Sequence, residues 1–337
     1  MTLVIGTDEA GYGPNLGPLV GAATAWRVEA SPDEAESVLT DAVTEATADP
    51  SHELVWADSK TLYKPARRRP ADGDGHPLAR LEHGLLVAAA IVSGGVPRDW
   101  PAIERLTGPL TPGSADAGSL QWDGLAQSAV PLVTDAPWAE TVAKTVSATL
   151  GQRGVRLAGL RVRCVYPGGF NESLVRGNNK SDILSRCTLS LATTLVETLE
   201  LDPSEPFLIW CDRHGGRKRY AAFVSEAFCG SIGFMTARSM VSPVTETSLT
   251  SSYRVGDRGR IDFTVGGESR PPVALASMAA KYVRERTMDC FNAFWSRRAP
   301  GLHGTAGYPQ DAIRWRQEAH AAIVAAGIPE DNLWRNA

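Results

Sequence analysis

Leu3-Val4-Ile5-Gly6-Thr7-Asp8-Glu9-Ala10-Gly11-Tyr12-Gly13-Pro14-Asn15-Leu16-Gly17-Pro18-Leu19-Val20 opens the chain with an apolar strand pattern that runs into two acids and then a turn rich in glycine and proline. Leu3 to Thr7 reads as one buried strand and Leu19 to Val28 as the next, a hairpin-like start with a wide loop. Adjacent residues of a regular strand face opposite sides. Asp8 and Glu9 therefore share a site only if the strand ends or twists there, which Gly11 and Gly13 permit. A second apolar run, Phe207-Leu208-Ile209-Trp210-Cys211, stops at Asp212 and is followed by Gly215-Gly216. Such a run marks a central strand buried on both faces, and its carboxyl end is where α/β proteins place ligands.

Outward from these strands, the patterning predicts a helix near Trp138 to Leu150, a strand near Leu160 to Val165 and a long helix from about Lys180 to Glu200. A hairpin follows, with Ser251 to Val255 and Arg260 to Val265 around Gly256-Asp257-Arg258-Gly259. Beyond Pro271-Pro272 a helix runs to about Arg297, and a last one spans Asp311 to Ala326, stopped by Gly327 and Pro329. Between Lys64 and Pro137 the composition changes, with Arg67-Arg68-Arg69-Pro70, Asp72-Gly73-Asp74-Gly75 and a Gly/Pro/Ser/Ala stretch from Gly108 to Ser119. That part reads as an insertion holding one helix, near Leu78 to Ser93, with mobile flanks. The expected architecture is mixed α/β around one sheet. A catalytic domain would span residues 1–310, with the insertion at about 64–137, and a C-terminal helical extension would span 311–337.

With 337 residues, 43% of them apolar and 21% charged, the chain has an ordinary globular composition. A formal charge of -4 gives no general attraction for polyanions, so any binding to nucleic acid must rest on local Lys and Arg. The five cysteines, Cys164, Cys187, Cys211, Cys229 and Cys290, form no CxxC pair and have no zinc-like spacing, which fits a reduced cytoplasm. The N-terminus has no signal-peptide pattern, and the longest apolar stretch, Gly84 to Val96, is shorter than a membrane span. A cytoplasmic protein without membrane attachment is expected.

The helix after Pro271-Pro272 carries a third acidic element, Glu285, in a stripe with Met278, Tyr282, Met288 and Asn292. A buried unpaired carboxylate is costly, and either a metal or a salt bridge would offset it. Each acid also has a plain structural reading. Lys281 and Glu285 have the spacing of an i,i+4 pair, Asp212 suits a turn before glycines, and Asp8-Glu9 suits a turn cap. Their weight lies in the combination.

That combination resembles the type 2 ribonuclease H family, the ribonuclease HII and HIII group. Gly6-Thr7-Asp8-Glu9-Ala10-Gly11-Tyr12-Gly13-Pro14 with Gly17-Pro18-Leu19-Val20 is similar to the family's opening signature, and Asp58-Ser59-Lys60-Thr61-Leu62 to its D-S-K-x-L element. Ala276-Ser277-Met278-Ala279-Ala280-Lys281-Tyr282-Val283-Arg284-Glu285-Arg286-Thr287-Met288 resembles its A-S-x-x-A-K helix, and Gly307-Tyr308-Pro309 its G-Y-P element. Phe170-Asn171 with Asn178-Asn179-Lys180 resembles the centre of ribonuclease HIII. The likeness covers roughly residues 1–63 and 158–310. Tyr12 stands where ribonuclease HII has arginine, Glu285 stands where it has aspartate, and Arg213 to Arg219 have no counterpart.

The resemblance implies a ribonuclease H-like fold, a central mixed sheet flanked by helices. It also implies an endonuclease that hydrolyses the RNA strand of RNA–DNA hybrids, or cuts at ribonucleotides in duplex DNA, leaving 3'-hydroxyl and 5'-phosphate ends. Asp8, Glu9, Asp212 and Glu285 would be the catalytic and metal-holding carboxylates, with Asp8 between two Mg2+ or Mn2+ ions. Hard oxygen donors suit those ions. Backbone groups of Gly11, Tyr12 and Gly13 would read the 2'-hydroxyl. Tyr308 would stack near the cleavage point, with anchoring of the C-terminal segment as its plain alternative. Lys60, then Arg217, Lys218 and Arg219, are candidate phosphate contacts, while Arg67 to Arg69 read as a solvated loop. A nucleotide-binding or oxidoreductase reading, with Gly11-x-Gly13 and Gly17 as a phosphate loop, is weak, because the spacing is not GxGxxG and no helix pattern follows before the next strand-like run. A catalytically silent nucleic-acid-binding protein on the same fold is the other reading.

Overall fold

The computed structural model describes residues 1–49, 53–63, 75–110, 122, 124–202, 204–228 and 241–336. The two acid-terminated runs become neighbouring strands. β1 (Thr2–Ala10) is paired antiparallel to β2 (Leu19–Val28) and parallel to β4 (Phe207–Asp212), and Thr7 lies opposite Cys211, so Asp8 and Asp212 end up level at one edge of the sheet. β3 (Val155–Val165) extends the sheet beyond β2. On the other side follow β7 (Gly259–Thr264), β6 (Thr250–Val255) and β5 (Val241–Glu246), giving the order β3-β2-β1-β4-β7-β6-β5. β1, β4 and β7 are mutually parallel, so three strand ends open on the same side. The mixed α/β architecture expected from the sequence, one sheet with helices on its faces, is the architecture found.

The helices are α1 (Ala35–Ala46), α2 (Ser59–Leu62), α3 (Ala79–Ser93), α4 (Trp100–Thr107), α5 (Ala136–Gln152), α6 (Pro167–Val175), α7 (Lys180–Thr198), α8 (Ala221–Phe228), α9 (Pro271–Arg298) and α10 (Pro309–Ala326). Period-two alternation divides β1 between two cores. Val4 joins a core built with α1, α3, α5 and α9, whereas Leu3 and Ile5 join one built with α7 and α8. α9 is buried along most of its length and lies across β1 and β2.

Among the described residues, the segment read as an insertion holds the helices α3 and α4, and their buried residues join the main core. Leu85, Leu86, Val87 and Ala88 are all buried, and a helix apolar on every side is an interior helix. Glu82 pins it there. Its carboxylate accepts from the backbone N–H groups of Leu132, Val133 and Thr134, each at 2.7 Å, and from the hydroxyls of Thr134 and Tyr282. Arg67 to Arg69 and most of the Gly108 to Ser119 stretch lie outside the described residues. Sequence patterning also missed α1, α6, α8 and β5, and began β3 late, at Leu160 in place of Val155.

At the C-terminus, α10 packs on the end of α9 through Trp315. Its ring centroid lies 4.9 Å from Phe291 and 5.5 Å from Trp295. The chain then turns back toward the start of the protein, where Trp334 bridges to Leu16. No helix among the described residues is long and apolar enough to cross a membrane.

Candidate active site

The carboxyl ends of β1, β4 and β7 gather acids. Asp8 is 5% exposed, and its Oδ1 accepts from the backbone N–H of Glu9 at 2.7 Å. Asp212 is the last residue of β4, and its Oδ1 accepts from the N–H of Gly267 at 3.0 Å. Gly267 lies just beyond β7, and a Cβ there would sit 3.0 Å from the Asp212 Cα, so the close approach of this turn to β4 leaves little room for a side chain. The next residue, Glu268, is thereby brought beside Asp212.

Electrostatics shows how tightly these groups are coupled. Burial, then the charge of Asp212, pushes the Asp8 carboxyl up to about 7. Burial, then Asp8 and Asp212, raises Glu9 well above the usual carboxylate range. Burial, then Glu268, pushes Asp212 up to about 6. Glu268 is raised by burial, but a backbone hydrogen bond and the ammonium of Lys60 hold it below its ordinary value. Lys60 donates to Glu268 Oε1 at 3.2 Å and draws charge stabilisation from Asp8 as well. Glu9 Oε2 and Glu268 Oε2 are buried with no hydrogen-bond partner. Lone, desolvated carboxylate oxygens are expensive, and a cation is what such an all-oxygen donor set accommodates. Among the described residues no group of three or more His, Cys, Asp or Glu is gathered tightly enough to hold a metal ion as it stands.

Glu285 stands apart from this group. It accepts from Lys281 Nζ at 2.7 Å, from Arg284 Nη1 at 3.1 Å and from the Tyr63 hydroxyl at 2.9 Å. Burial works against its charge, but Lys281 and Arg284 outweigh that and hold its carboxyl below the ordinary value. The i,i+4 spacing with Lys281 is therefore realised as an ion pair, and the carboxylate is already neutralised. The structure puts Glu268, which the sequence reading passed over, in the place among the acids that Glu285 was expected to fill. The only signal for it was weak: an acid following a strand and two glycines, a pattern that by itself also fits a surface turn.

The other expected residues divide into two groups. Gly11 has φ +85°, and a Cβ there would lie 2.5 Å from Arg284 Nε, so only glycine fits between the loop and α9. Gly13 lies against Tyr308, whose ring is 53% exposed, and Tyr12 reaches Gly215 with its hydroxyl. The loop of Gly11, Tyr12 and Gly13 and the Tyr308 ring thus form one surface. Arg217 is turned away to Asp182 and to Ser181 Oγ at 2.8 Å. Lys218 is exposed, and its carbonyl accepts from Ser251.

No family model and no curated protein matches the chain. Among solved structures, it is similar to ribonuclease HII of Archaeoglobus fulgidus, in a structure of its complex with PCNA, at 14% identity and TM-score 0.39 over 99% of this chain and 94% of that one. It is similar to ribonuclease H2 of Pyrococcus horikoshii at 13% identity and TM-score 0.42, over 98% and 92%. It is also similar to Bst-RNase HIII in complex with Mn2+, at 15% identity and TM-score 0.41, over 99% of this chain and 66% of that one. All three are type 2 ribonucleases H. Identities and scores this low carry no residue roles across, so the roles of the side chains rest on their own geometry.

Proposed function

We propose that the chain is a divalent-metal-dependent endonuclease of the ribonuclease H type, acting on the RNA strand of RNA–DNA hybrids or at ribonucleotides embedded in duplex DNA. The supporting observation is the set of four acids at the ends of three parallel strands, two of them with buried, unpartnered carboxylate oxygens. Asp8, Glu9, Asp212 and Glu268 are the residues that would hold Mg2+ or Mn2+, in place of the set that included Glu285. Such ions, bound as a pair, would supply Lewis-acid stabilisation of the phosphoryl oxygens and a more acidic water, with 3'-hydroxyl and 5'-phosphate products.

The chain's own groups account for the rest. Three raised carboxyls must lose protons to bind a cation, so protons compete with the metal and metal affinity should weaken as the pH falls. Lys60, paired with Glu268 and solvent-accessible, is suited to meet a phosphate oxygen at the rim. Backbone groups of the Gly11 to Gly13 loop would test for a 2'-hydroxyl, with the half-exposed ring of Tyr308 against the adjoining sugar.

The test is cleavage of a continuous RNA–DNA hybrid and of a DNA duplex with one ribonucleotide, with Mg2+ or Mn2+, by wild type and Asp8→Asn. Metal-dependent cutting by wild type alone is the expected result. Equal binding of hybrid by both proteins with no cutting by either would replace this reading with a catalytically silent nucleic-acid-binding protein.

A further inference from the structure

Arg335, two residues from the end of the chain, is 1% exposed and reaches back across the molecule to the loop that follows Asp8 and Glu9. Its Nη2 donates to the carbonyl of Gly11 at 2.7 Å and to that of Pro14, while its own N–H donates to the Asn15 carbonyl at 2.8 Å. The segment carrying it is tied down separately. Asn171 donates to the carbonyls of Asp331 and Trp334 at 3.1 and 2.7 Å and accepts from the N–H of Asn336 at 2.9 Å.

Two features of this arginine exceed what a structural clamp needs. Its Nε and Nη1 are buried with no hydrogen-bond partner, and among the described residues no carboxylate pairs with it. The Phe170 ring, 5.1 Å from it, gives the guanidinium a cation–π contact but no counter-charge, and a buried cation without an anion is costly where neutral donors would suffice to fasten the loop. The charge that acts on its titration is also a cation. Burial and then Arg284 pull the Arg335 pKa down to about 9, which still leaves it protonated at neutral pH. Burial and then Arg335 lower Lys180, whose Nζ stands 5.0 Å from the centre of the Tyr12 ring. Arg284 is neutralised by Glu285, but Lys180 and Arg335 have no acid between them among the described residues. Tyr12, at the tip of the loop, brings no charge of its own.

We infer that the C-terminal tail completes a phosphate-holding subsite at the Gly11–Pro14 loop, with Lys180 as the direct contact and Arg335 as the positioning residue whose unneutralised charge lies beneath the loop. This rests on the proposed nucleic-acid substrate. Arg335 sets the geometry of the loop carbonyls and the local positive potential, and the phosphodiester backbone supplies the missing counter-charge. The carboxylates lie on the strand ends beside it, so the subsite holds the strand against them and does no chemistry itself.

The experiment measures equilibrium binding of a labelled RNA–DNA hybrid by fluorescence anisotropy across a salt series. It uses the full chain carrying Asp8→Asn, alone and combined with Arg335→Met, Arg335→Lys or Lys180→Met. Loss of one cation that meets phosphate makes the slope of log K against log salt shallower by about 0.7 to 0.9. Lys180→Met is expected to weaken binding about tenfold at moderate salt and to flatten the slope by that amount, and Arg335→Met, which removes charge from beneath the loop without removing a direct contact, to weaken binding about as much and to flatten the slope by a smaller amount. Arg335→Lys should keep the slope and recover only part of the affinity, because a lysine restores charge but not the forked donor geometry.

Unchanged affinity and slope in Arg335→Met, or a slope in Arg335→Lys as flat as in Arg335→Met, would overturn the inference. If Arg335→Met fails to fold, the variant at the half-buried Lys180, Lys180→Met, decides, and a wild-type slope there overturns it equally. Absence of cleavage by wild type alongside salt-sensitive hybrid binding would count against the nuclease reading and leave the subsite standing. Absence of both would remove the two together.

Discussion

Asp8→Asn should make the metal-free protein more stable while removing its response to metal. The Asp8 carboxyl rises from an ordinary 3.8 to about 7 on folding. Three units at about 1.4 kcal/mol each give about 4 kcal/mol as the largest cost of keeping this group charged in the fold. Asp212 and Glu9 share that repulsion, so one neutral amide should relieve about 2 to 4 kcal/mol. Between pH 4 and 7 the folded protein holds more protons at this site than the unfolded chain, so wild-type stability falls as pH rises through that window. Asparagine cannot titrate, and the advantage of the variant should grow over the same window and level off above pH 7. For a chain of this size about 2 °C accompanies each kcal/mol, which predicts a Tm higher by about 4 to 8 °C at pH 8 in EDTA and nearly equal Tm values at pH 4.5. Adding Mg2+ should raise the wild-type Tm and leave that of Asp8→Asn almost unchanged. Scanning calorimetry at both pH values, with and without metal, measures all of this. An Asp8→Asn protein less stable than wild type at pH 8 in EDTA would refute the reasoning, as would equal stabilisation of both proteins by Mg2+.

Four further outcomes are expected. Glu268→Gln should lower kcat for hybrid cleavage by about 100-fold or more, as loss of a charge-stabilising group at a reacting centre does. Glu285→Gln should stay within about tenfold of wild type but unfold at lower urea, because Lys281 and Arg284 lose their common acid; the two kcat values and the urea midpoints check this. Activity should climb from pH 5.5 to 8 as Asp212, at about 6, and Asp8, at about 7, shed their protons, and a pH–rate profile flat across that range would contradict the assignment. Glu82→Ala should cost about 3 to 5 kcal/mol by urea unfolding, since it strands the donors of Leu132, Val133, Thr134 and Tyr282. The Glu82 carboxyl is raised by burial but held lower overall by the Tyr282 hydroxyl and three backbone N–H groups. Its stabilisation is therefore present above pH 4.5 and should fade as the pH falls through its folded value.

The central strands were readable because their chemistry is local. Continuous apolar runs ending in an acid and glycines, at Asp8 and at Asp212, mark buried strands whose ends open on a site, and both register together in the sheet. Glu268 was not readable in the same way, because Gly266-Gly267-Glu268-Ser269 looks like any surface turn until β7 is known to run parallel beside β4. Glu285 misled for the opposite reason. Helical periodicity placed a carboxylate in an apolar stripe, but Lys281 and Arg284 on the same helix satisfy it, and periodicity alone does not say which neighbour reaches it. The region between Lys64 and Pro137 reads as inserted because its flanks are rich in glycine and proline, and that composition gave no sign that α3 within it would be packed into the core. Arg335 sits more than 300 residues from the loop it holds, and no spacing rule reaches that far.

Anomalous diffraction from crystals grown with Mn2+ addresses the four-acid site most directly. Peaks with oxygen ligands from Asp8, Glu9, Asp212 and Glu268 at about 2.0 to 2.2 Å are predicted, with none at Glu285. Manganese bound to Glu285, or strand ends without metal at saturating Mn2+ above pH 7, would contradict the account.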